Sequence, residues 1–320
     1  MIATVGEALV DLIEQSDGSF RASLGGSVCN FTLGLARQAV RATYLSPISE
    51  DDFGRQFHEL LTENGVLLNS GSRSPLPTSL AIVHLDERGS PRYTFYRDSV
   101  ADRDAEPKDL LAGLPEEFEL LHTGGLALLP ADLPKMLTVI DAAARRGAAI
   151  SIDANLRPLA VKNTEAYVTG VERALRRAHI VKISDEDAEA LGLREVTAAS
   201  VAEHFFSMSA SGDSSIRLIA LTLGARGAAL LTRALTVELP APVPERIVDT
   251  VGAGDCFHAG LIAFLSRAGA LRAPAKLDEL DEELLTRGLR HALAAAKFDL
   301  MRSGCSPGTW EQIAELAAEE

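Results

Sequence analysis

The sequence predicts an α/β fold in which a doubly wound, mostly parallel central sheet carries helices on both faces. Short apolar runs typical of buried strands alternate with segments of helical periodicity, which indicates βαβ units. The chain has 320 residues, enough to bury a large core, and its 47% apolar and 24% charged residues are ordinary for a globular protein. We therefore expect one main body over residues 1–320.

The elements of that body follow one another along the chain. The clearest strands are five apolar runs, at residues 3–5, 120–123, 148–153, 180–183 and 218–222. Helices are predicted between and after them, at residues 28–38, 133–146, 165–176, 200–207, 254–268 and 282–298. Parallel strands need crossover connections that are usually helical, so this alternation favours a parallel sheet.

Two early stretches, residues 12–23 and about 75–104, depart from the alternation. Residues 79–85 and 91–97 flank the segment 86–90, where Gly89 permits a turn, so we expect antiparallel strands. One hypothesis is a small separate sheet that forms a β-sheet lid. The other is an extension of the edge of the main sheet, and the sequence supports the two equally.

The charge of the chain limits its partners. A net charge of −14 and a pI near 5.0 argue against nucleic acid, whose phosphates are bound by basic surfaces. ATP remains compatible, because backbone N–H groups, Mg²⁺ and a few placed cations can hold it. No membrane span is expected, and residues 1–11 contain Glu7 and Asp11 without the basic start of a signal peptide. We expect a cytoplasmic protein.

The three cysteines, Cys29, Cys256 and Cys305, are widely spaced and odd in number. That pattern predicts neither a disulfide framework nor a zinc site. Free cysteine is most often a small, buried, apolar residue, so we expect three buried thiols in a reducing compartment.

The segment Asp249-Thr-Val-Gly-Ala-Gly-Asp255 carries the strongest chemical signal. It follows the strand-like residues 246–248 and opens an apolar helix over residues 256–265. Gly252 and Gly254 allow a sharp turn and close approach of a ligand to the first-turn N–H groups, which favour an anion such as a phosphoryl group. Asp255 would then be the base that accepts the proton of the attacking hydroxyl. A glycine-rich turn with Asp255 as a helix cap is the alternative.

A second glycine pair opens the predicted helix 28–38, in the segment Leu24-Gly-Gly-Ser-Val-Cys-Asn30. Asn30 projects an amide from the first turn, and Asp11 lies upstream. Carboxylate accepts hydrogen bonds while amide both donates and accepts them, which suits adjacent sugar hydroxyls. A simple turn between a strand and a helix is the alternative.

Together, the early Gly25-Gly26-Ser-Val-Cys-Asn30 and the late Asp249-Thr-Val-Gly-Ala-Gly-Asp255 resemble the ribokinase-like carbohydrate kinases, the PfkB family, over nearly the whole chain. The resemblance implies a ribokinase-like body, ATP as phosphoryl donor, a lid over the sugar and often a homodimer through that lid. By position it implies Asp255 as base, Gly252, Ala253 and Gly254 as anion hole, Asp11, Gly25, Gly26, Asn30 and Asp249 at the sugar, and Thr222, Gly224 and Gly227 at the nucleotide.

The segment Ser184-Asp-Glu-Asp187 stands where many family members carry Asn-x-x-Glu, a pair tied to the water shell of Mg²⁺. Both ends differ here, although Asp187 retains a carboxylate that can accept metal-bound water. No direct protein ligand for Mg²⁺ is expected, since Mg²⁺ commonly keeps its waters and binds substrate phosphates. Activation by a monovalent cation such as K⁺ is left open.

Two further segments bear on the sugar. Asp153-Ala-Asn-Leu-Arg157 is similar to a segment of fructokinases and 2-keto-3-deoxygluconate kinases, and implies Arg157 near the transferred phosphate. Phe95-Tyr-Arg97 is similar to a fructokinase stretch, and implies that Arg97 reaches the sugar from the lid. Phe95 lacks the hydroxyl of the keto-acid kinases, and Ser27 replaces the lysine of the ribose enzymes.

The predicted activity is therefore transfer of the γ-phosphate of ATP to a sugar hydroxyl, with fructose or a related ketohexose as acceptor. A 2-keto-3-deoxygluconate kinase, or another sugar kinase of the PfkB type, is the alternative enzyme. An alternative of another class is a catalytically silent regulator that binds sugar or nucleotide on the same fold. The intact Asp255 and glycines argue against that regulator.

Overall fold

A computed structural model describes residues 1–15, 17–69, 73–85, 91–207 and 215–319. Fifteen strands lie in this part of the chain: β1 (Ile2–Thr4), β2 (Leu9–Glu14), β3 (Phe20–Gly25), β4 (Ala42–Tyr44), β5 (Ile48–Ser49), β6 (Leu67–Leu68), β7 (Arg73–Ser74), β8 (Ser79–Leu85), β9 (Pro91–Tyr96), β10 (Leu120–Gly124), β11 (Ala149–Asp153), β12 (Ile180–Ser184), β13 (Leu218–Thr222), β14 (Ala228–Leu231) and β15 (Thr236–Leu239). Ten α-helices accompany them: α1 (Ser27–Arg37), α2 (Asp52–Glu63), α3 (Pro107–Ala112), α4 (Leu133–Arg145), α5 (Thr164–Leu175), α6 (Asp185–Ala190), α7 (Ala198–Ser207), α8 (Ala253–Arg267), α9 (Glu282–Leu300) and α10 (Trp310–Glu319).

The main sheet has nine strands among the described residues, in the order β15-β14-β13-β12-β11-β10-β1-β4-β6. The pairs from β13 through β6 are parallel, and β14 and β15 add an antiparallel edge. One face packs against α4, α5 and α7, and the other against α1, α8 and α9. The predicted doubly wound sheet is therefore confirmed. Strands buried on both faces are apolar along their whole length, which is why they stand out in the sequence as short apolar runs.

The five strands and six helices predicted for the main body lie within two residues of the observed bounds, whereas β4, β14, β15, α2 and α10 were not predicted. One predicted strand is absent. The predicted strand at 246–248 is wrong: residues 241–250 form an irregular segment, and the Ile247 side chain is 61% exposed. Pro240, Pro242 and Pro244 lack the N–H donors that a sheet ladder requires, so the chain leaves the sheet after β15 and before residue 246. Val248 donates its N–H to the carbonyl of Leu300 at 2.8 Å.

A second sheet of four strands, in the order β3-β2-β8-β9, is separate from the main sheet. The hypothesis of an edge extension is therefore wrong. The strands fall within or beside the predicted ranges 12–23 and 75–104, as two antiparallel pairs joined by a parallel pairing of β2 with β8. The sequence did not predict that parallel pairing. The predicted turn at 86–90 lies outside the described residues.

None of the helices in the described ranges has both the length and the apolar character that crossing a bilayer requires.

Candidate active site

A continuous cavity of about 960 Å³ lies between the main sheet and the second sheet. Its floor is formed where the parallel strands β1, β10, β11, β12 and β13 end, the edge at which open α/β sheets bind ligands. Its roof is one face of the second sheet, from which Leu9, Asp11, Tyr93 and Phe95 point inward. Both sets of sequence motifs therefore meet in one place.

The glycine-rich segment before α8 forms the middle of the cavity wall. Gly252, with φ of +89°, is the residue before the helix, and the left-handed conformation favours glycine. A Cβ there would also lie 2.7 Å from Cys305 Sγ, closer than packing permits. Gly252, Ala253 and Gly254 all line the cavity. The first N–H groups of a helix have no partner within the helix, and that of Ala253 makes only a long hydrogen bond of 3.5 Å to the carbonyl of Thr250, so this turn is suited to an anion.

Asp255 lies in the first turn of α8 and is partly buried at the cavity wall. Its Oδ2 accepts a hydrogen bond of 2.8 Å from Asn30 Nδ2, which joins α8 to α1. Burial raises the pKa of Asp255 to about 8, against the opposing effect of that hydrogen bond. A carboxylate with a raised pKa is a stronger proton acceptor, the property that a catalytic base needs.

A buried ion pair, which the sequence analysis missed, lies behind the anion hole. Lys182 Nζ is 3.1 Å from Asp153 Oδ2, and both side chains are nearly inaccessible to solvent. Lys182 also lines the cavity, and a Cβ on Gly254 would lie 3.3 Å from its Nζ. Burial lowers the pKa of Lys182, but Asp153, Asp187 and Asp255 raise it by more, so the amine stays charged. A lysine inside the apolar strand 180–183 was the signal that could have revealed it.

The paired glycines at the start of α1 are explained by close contacts. A Cβ on Gly25 would lie 2.7 Å from Asp11 Oδ2, and one on Gly26 would lie 2.6 Å from the carbonyl of Glu7. Gly26 also has φ of +100°. Gly26 lines the cavity, but Gly25 does not; its position instead lets the Asp11 carboxylate lie against the backbone.

Three polar side chains, those of Asp11, Tyr93 and Arg157, line the end of the cavity beneath the second sheet. Burial raises the pKa of Asp11 to about 6, while Arg157 lowers it. Arg157 lines the cavity as predicted, and its Nη1 donates to the carbonyl of Leu156 at 2.9 Å. Tyr93 lines the same end and stacks on Phe95 with ring centroids 5.8 Å apart. Phe95 has no hydroxyl, but Tyr93, on the same face of β9, presents one to this end of the cavity.

Glu7 is a second wall residue that the sequence analysis did not single out as a site residue. It is almost fully buried, and its Oε1 accepts hydrogen bonds from the N–H and the hydroxyl of Ser27, at 3.2 and 3.1 Å. Its Oε2 has no partner among the described residues. Burial raises the pKa of Glu7, and Arg97 opposes that effect. An acidic residue directly after a buried first strand was the available signal.

The structure does not place Arg97 where the sequence predicted it. Arg97 is buried beneath the second sheet and does not line the cavity. Its guanidinium pairs with Asp102 and donates to the carbonyl of Leu126 at 3.1 Å. A buried guanidinium must be paired and hydrogen-bonded, and Asp102 meets that need within the protein. Arg97 therefore positions Leu126 at the wall, and the prediction of direct sugar contact is wrong for this structure.

Asp249 likewise does not line the cavity. Its carboxylate accepts hydrogen bonds from the N–H groups of Val251, at 3.1 Å, and Gly304, at 2.9 Å. Both partners are backbone groups of segments that adjoin the anion hole. The role of Asp249 in this structure is to hold these segments together, and the predicted sugar contact is replaced by that role.

The nucleotide motif forms the opposite end of the cavity. Thr222, Gly224 and Gly227 all line it, at the hairpin between β13 and β14. Gly227 has φ of +112°, and a Cβ there would lie 2.0 Å from the carbonyl of Leu239, so glycine is required. The same end is also lined by residues that lie outside the sequence motifs and are mostly apolar: Ala241, Pro242, Val243, Ile247, Leu293, Ala296, Lys297 and Leu300.

Ser184 and Asp187 form a capping box at the start of α6. Asp187 Oδ2 accepts from the N–H and hydroxyl of Ser184, at 2.9 and 2.8 Å, and Oδ1 accepts from the N–H of Leu156 at 2.7 Å. Both oxygens of Asp187 are thus occupied by the protein, although both residues line the cavity. Glu186, next to them, lines the cavity and is exposed. It offers the freer carboxylate for a hydrated metal ion.

Comparison with known proteins agrees with this arrangement. The chain is 31% identical to a fructokinase from Rhizobium leguminosarum bv. trifolii over 297 residues, covering 90% of this chain and 86% of that protein. It is 31% identical to a fructokinase from Vibrio alginolyticus over 274 residues, covering 82% and 83%. A crystal structure of a fructokinase with bound ATP from Xylella fastidiosa matches with a TM-score of 0.87 at 25% identity, covering 99% and 98%. Since the profile of the pfkB family carbohydrate kinases also matches residues 1–311, the chain belongs to that family.

Proposed function

We propose that the protein is an ATP-dependent, fructokinase-like sugar kinase with Asp255 as its catalytic base. One observation carries the proposal: Asp255, hydrogen-bonded to Asn30, lies at a helix N-terminus midway along a single cavity. The sugar would occupy the end beneath the second sheet and ATP the end formed by Thr222, Gly224 and Gly227. The fructokinase relatives, and a fructokinase neighbour whose structure holds ATP, support a sugar and ATP as the two ligands.

In the proposed reaction, the sugar hydroxyl oxygen attacks the γ-phosphorus of ATP while its proton passes to the Asp255 carboxylate. The bond from the γ-phosphorus to the bridging oxygen breaks, and sugar phosphate and ADP are released. The N–H groups of Ala253 and Gly254 would stabilise charge on the transferring phosphoryl group, each donor contributing about 10²–10³ in rate. Arg157 would also bind the oxygens of the transferring phosphoryl group.

We propose Mg²⁺ as the metal that accompanies ATP. Asp185, Glu186 and Asp187 line the cavity beside the nucleotide hairpin, and carboxylate oxygens suit a hydrated Mg²⁺. Because the oxygens of Asp187 are occupied, we assign Glu186 as the residue that accepts metal-bound water. When bound, Mg²⁺ would neutralise charge on the triphosphate. No direct protein ligand is proposed.

The charges at the sugar end favour a neutral ketohexose over 2-keto-3-deoxygluconate. A sugar acid needs a free cation for its carboxylate, but Arg97 is paired with Asp102 and Lys182 with Asp153. In the described part of the sugar end, Arg157 is left as the cation, and the acidic side chains of Asp11 and Glu7 line the same cavity. A carboxylate on the sugar would be repelled by these acidic groups, whereas hydroxyl groups would find acceptors.

We also propose that the second sheet is a lid and that its outer face forms the interface of a homodimer. The protein would act in the cytoplasm. The strand register places Leu9, Asp11, Tyr93 and Phe95 on the cavity face and alternate residues on the other. On that outer face Phe20 and Tyr96 are 44% and 56% exposed. Exposed aromatic side chains on a sheet suit a protein interface. Analytical ultracentrifugation of Phe20→Ser would show monomers if the proposal holds.

A coupled assay tests the proposed reaction with fructose, ribose, 2-keto-3-deoxygluconate and a nucleoside as acceptors. We expect the highest kcat/KM with fructose, and turnover with the nucleoside alone would contradict the proposal.

Asp255→Asn should lower kcat by about 10²–10⁴ while ATP and fructose still bind in calorimetry. The matched control is Asp98→Asn, at a fully exposed aspartate, which should leave kcat unchanged. Unchanged turnover in Asp255→Asn would refute the assignment of the base.

A further inference from the structure

Two cysteines that are far apart in the sequence lie side by side behind the anion hole. Cys256 Sγ, in the first turn of α8, is 3.8 Å from Cys305 Sγ, in the segment after α9. One carboxylate oxygen of Asp299, near the end of α9, completes a group whose three donor atoms lie within 4.8 Å of one another. We call these three residues the thiol cluster. The wide sequence spacing had predicted no such group, because it depends on how α8 packs against α9.

The Asp299 carboxylate indicates what the thiol cluster can bind. The side chain is fully buried, and its Oδ1 accepts a hydrogen bond of 2.6 Å from the N–H of Ser306. Its Oδ2 has no hydrogen-bond partner of ordinary geometry among the described residues, and the polar group beside it is the Cys256 thiol, a weak donor. A buried carboxylate oxygen that faces only a weak donor is costly, and such exceptions in folded proteins call for an explanation such as a missing ion.

The spacing of the two sulfur atoms is compatible with a shared metal ion. Two thiolates bound to a tetrahedral Zn²⁺ at about 2.3 Å lie about 3.8 Å apart, the separation found between Cys256 and Cys305. A disulfide requires about 2.05 Å, which would need a movement of the backbone or side chains. Two sulfurs and one carboxylate oxygen are a ligand set that soft divalent ions prefer.

The segment that carries Cys305 is already fixed before any ion binds. Gly304 donates its N–H to Asp249, and Ser306 donates its N–H to Asp299. Cys305 itself packs against Gly252 and is only partly buried, so an ion can reach the cluster from solvent. Preformed ligands and an access route are the two conditions that a binding site must meet.

We propose that Cys256, Asp299 and Cys305 bind a thiophilic divalent cation such as Zn²⁺ or Cd²⁺, with a fourth position open to water. Binding replaces the two thiol protons by the metal and releases them to the buffer. Affinity should therefore increase as the pH rises.

The test is titration of the full-length, reduced and metal-free chain with Cd²⁺, followed by the ultraviolet band of cadmium thiolate. One Cd²⁺ per chain should bind, and Cys256→Ala and Cys305→Ala should each weaken binding at least about 10-fold and diminish the band. Asp299→Asn, which keeps an acceptor for Ser306, should weaken binding without removing the band. The matched control is Cys29→Ala, a buried cysteine outside the thiol cluster, which should bind Cd²⁺ like the unaltered chain.

A second readout does not depend on the band. Zn²⁺ at about 100-fold its Kd should raise the Tm of the chain by about 4 °C, and by clearly less in Cys305→Ala. Three results would each overturn the proposal: absence of a cadmium thiolate band, a band of full intensity in Cys256→Ala, or formation of an intramolecular disulfide in air in place of metal binding.

Discussion

Replacing Asn30 by alanine removes the hydrogen bond of 2.8 Å that Asp255 Oδ2 accepts from its amide. That bond lowers the pKa of Asp255, which burial has raised to about 8. A hydrogen bond to a charged group contributes about 1.5–3 kcal/mol, and a change of one pKa unit corresponds to about 1.4 kcal/mol. Asn30→Ala should therefore raise the pKa of Asp255 by about one to two units.

The consequence is a shift in the pH dependence of the reaction. Activity requires ionised Asp255, so kcat/KM falls as the pH decreases below its pKa. In Asn30→Ala this acid limb should move about one to two pH units upward, which makes the variant about 10–100-fold slower at neutral pH and partly restores it in alkali. Any loss of sugar affinity would lower kcat/KM at every pH without moving the limb.

The assay is the coupled measurement of ADP release, repeated from acid to alkaline pH with saturating ATP and varied fructose. Asp255→Asn is the reference, since its residual rate should show no acid limb. If the acid limb of Asn30→Ala coincides with that of the unaltered chain, then the hydrogen bond does not control the protonation of Asp255, and the reasoning fails.

Three further predictions concern stability. Because the pKa of Asp255 is raised in the folded state, the unfolded state loses this proton first, and the folded state becomes less stable as the pH rises from about 4 to 8. Asp255→Asn should therefore raise Tm at pH 8 and change it little at pH 4, as calorimetry would show. Gly252→Ala should lower the free energy of unfolding by more than Gly65→Ala, because both have positive φ but Gly65 has no atom within 4 Å of an added Cβ; equal losses of about 1 kcal/mol in urea would contradict this. Lys182→Met should cost about 3–5 kcal/mol, since it leaves Asp153 buried without its partner, and a loss below about 1 kcal/mol would count against the pair.

The sequence predicted the parts of the molecule that depend on local pattern. Strands buried on both faces appear as short apolar runs, and the site segment 249–255 is contiguous, so its position before α8 followed from its own residues. The order of parallel strands then brings the strand ends together. Asn30 and Asp255, 225 positions apart, were assigned to one site by the family resemblance of their two segments, and a hydrogen bond joins them in the structure.

The remainder depends on contacts that no local pattern contains. Arg97 was expected at the sugar because its segment is similar to a fructokinase stretch, but the nearby Asp102 pairs with it inside the protein. Lys182 was overlooked because a charged residue in a buried strand is meaningful only when its partner Asp153, on the adjacent strand, is known. Pairing between neighbouring side chains decides both cases, and it is a property of the packed structure.

The parallel pairing of β2 with β8 bears on how the protein folds. It joins Leu9 to Ser79 across a segment that contains α1, β4 and α2. A contact between residues so distant along the chain has a large loop-closure entropy, which is recovered only when the intervening segment has packed onto the main sheet. We therefore expect the small sheet to assemble late, and its backbone amides to exchange with solvent through partial opening while the main sheet remains protected. The sheet that we propose to cover the sugar would then also be the region that opens first.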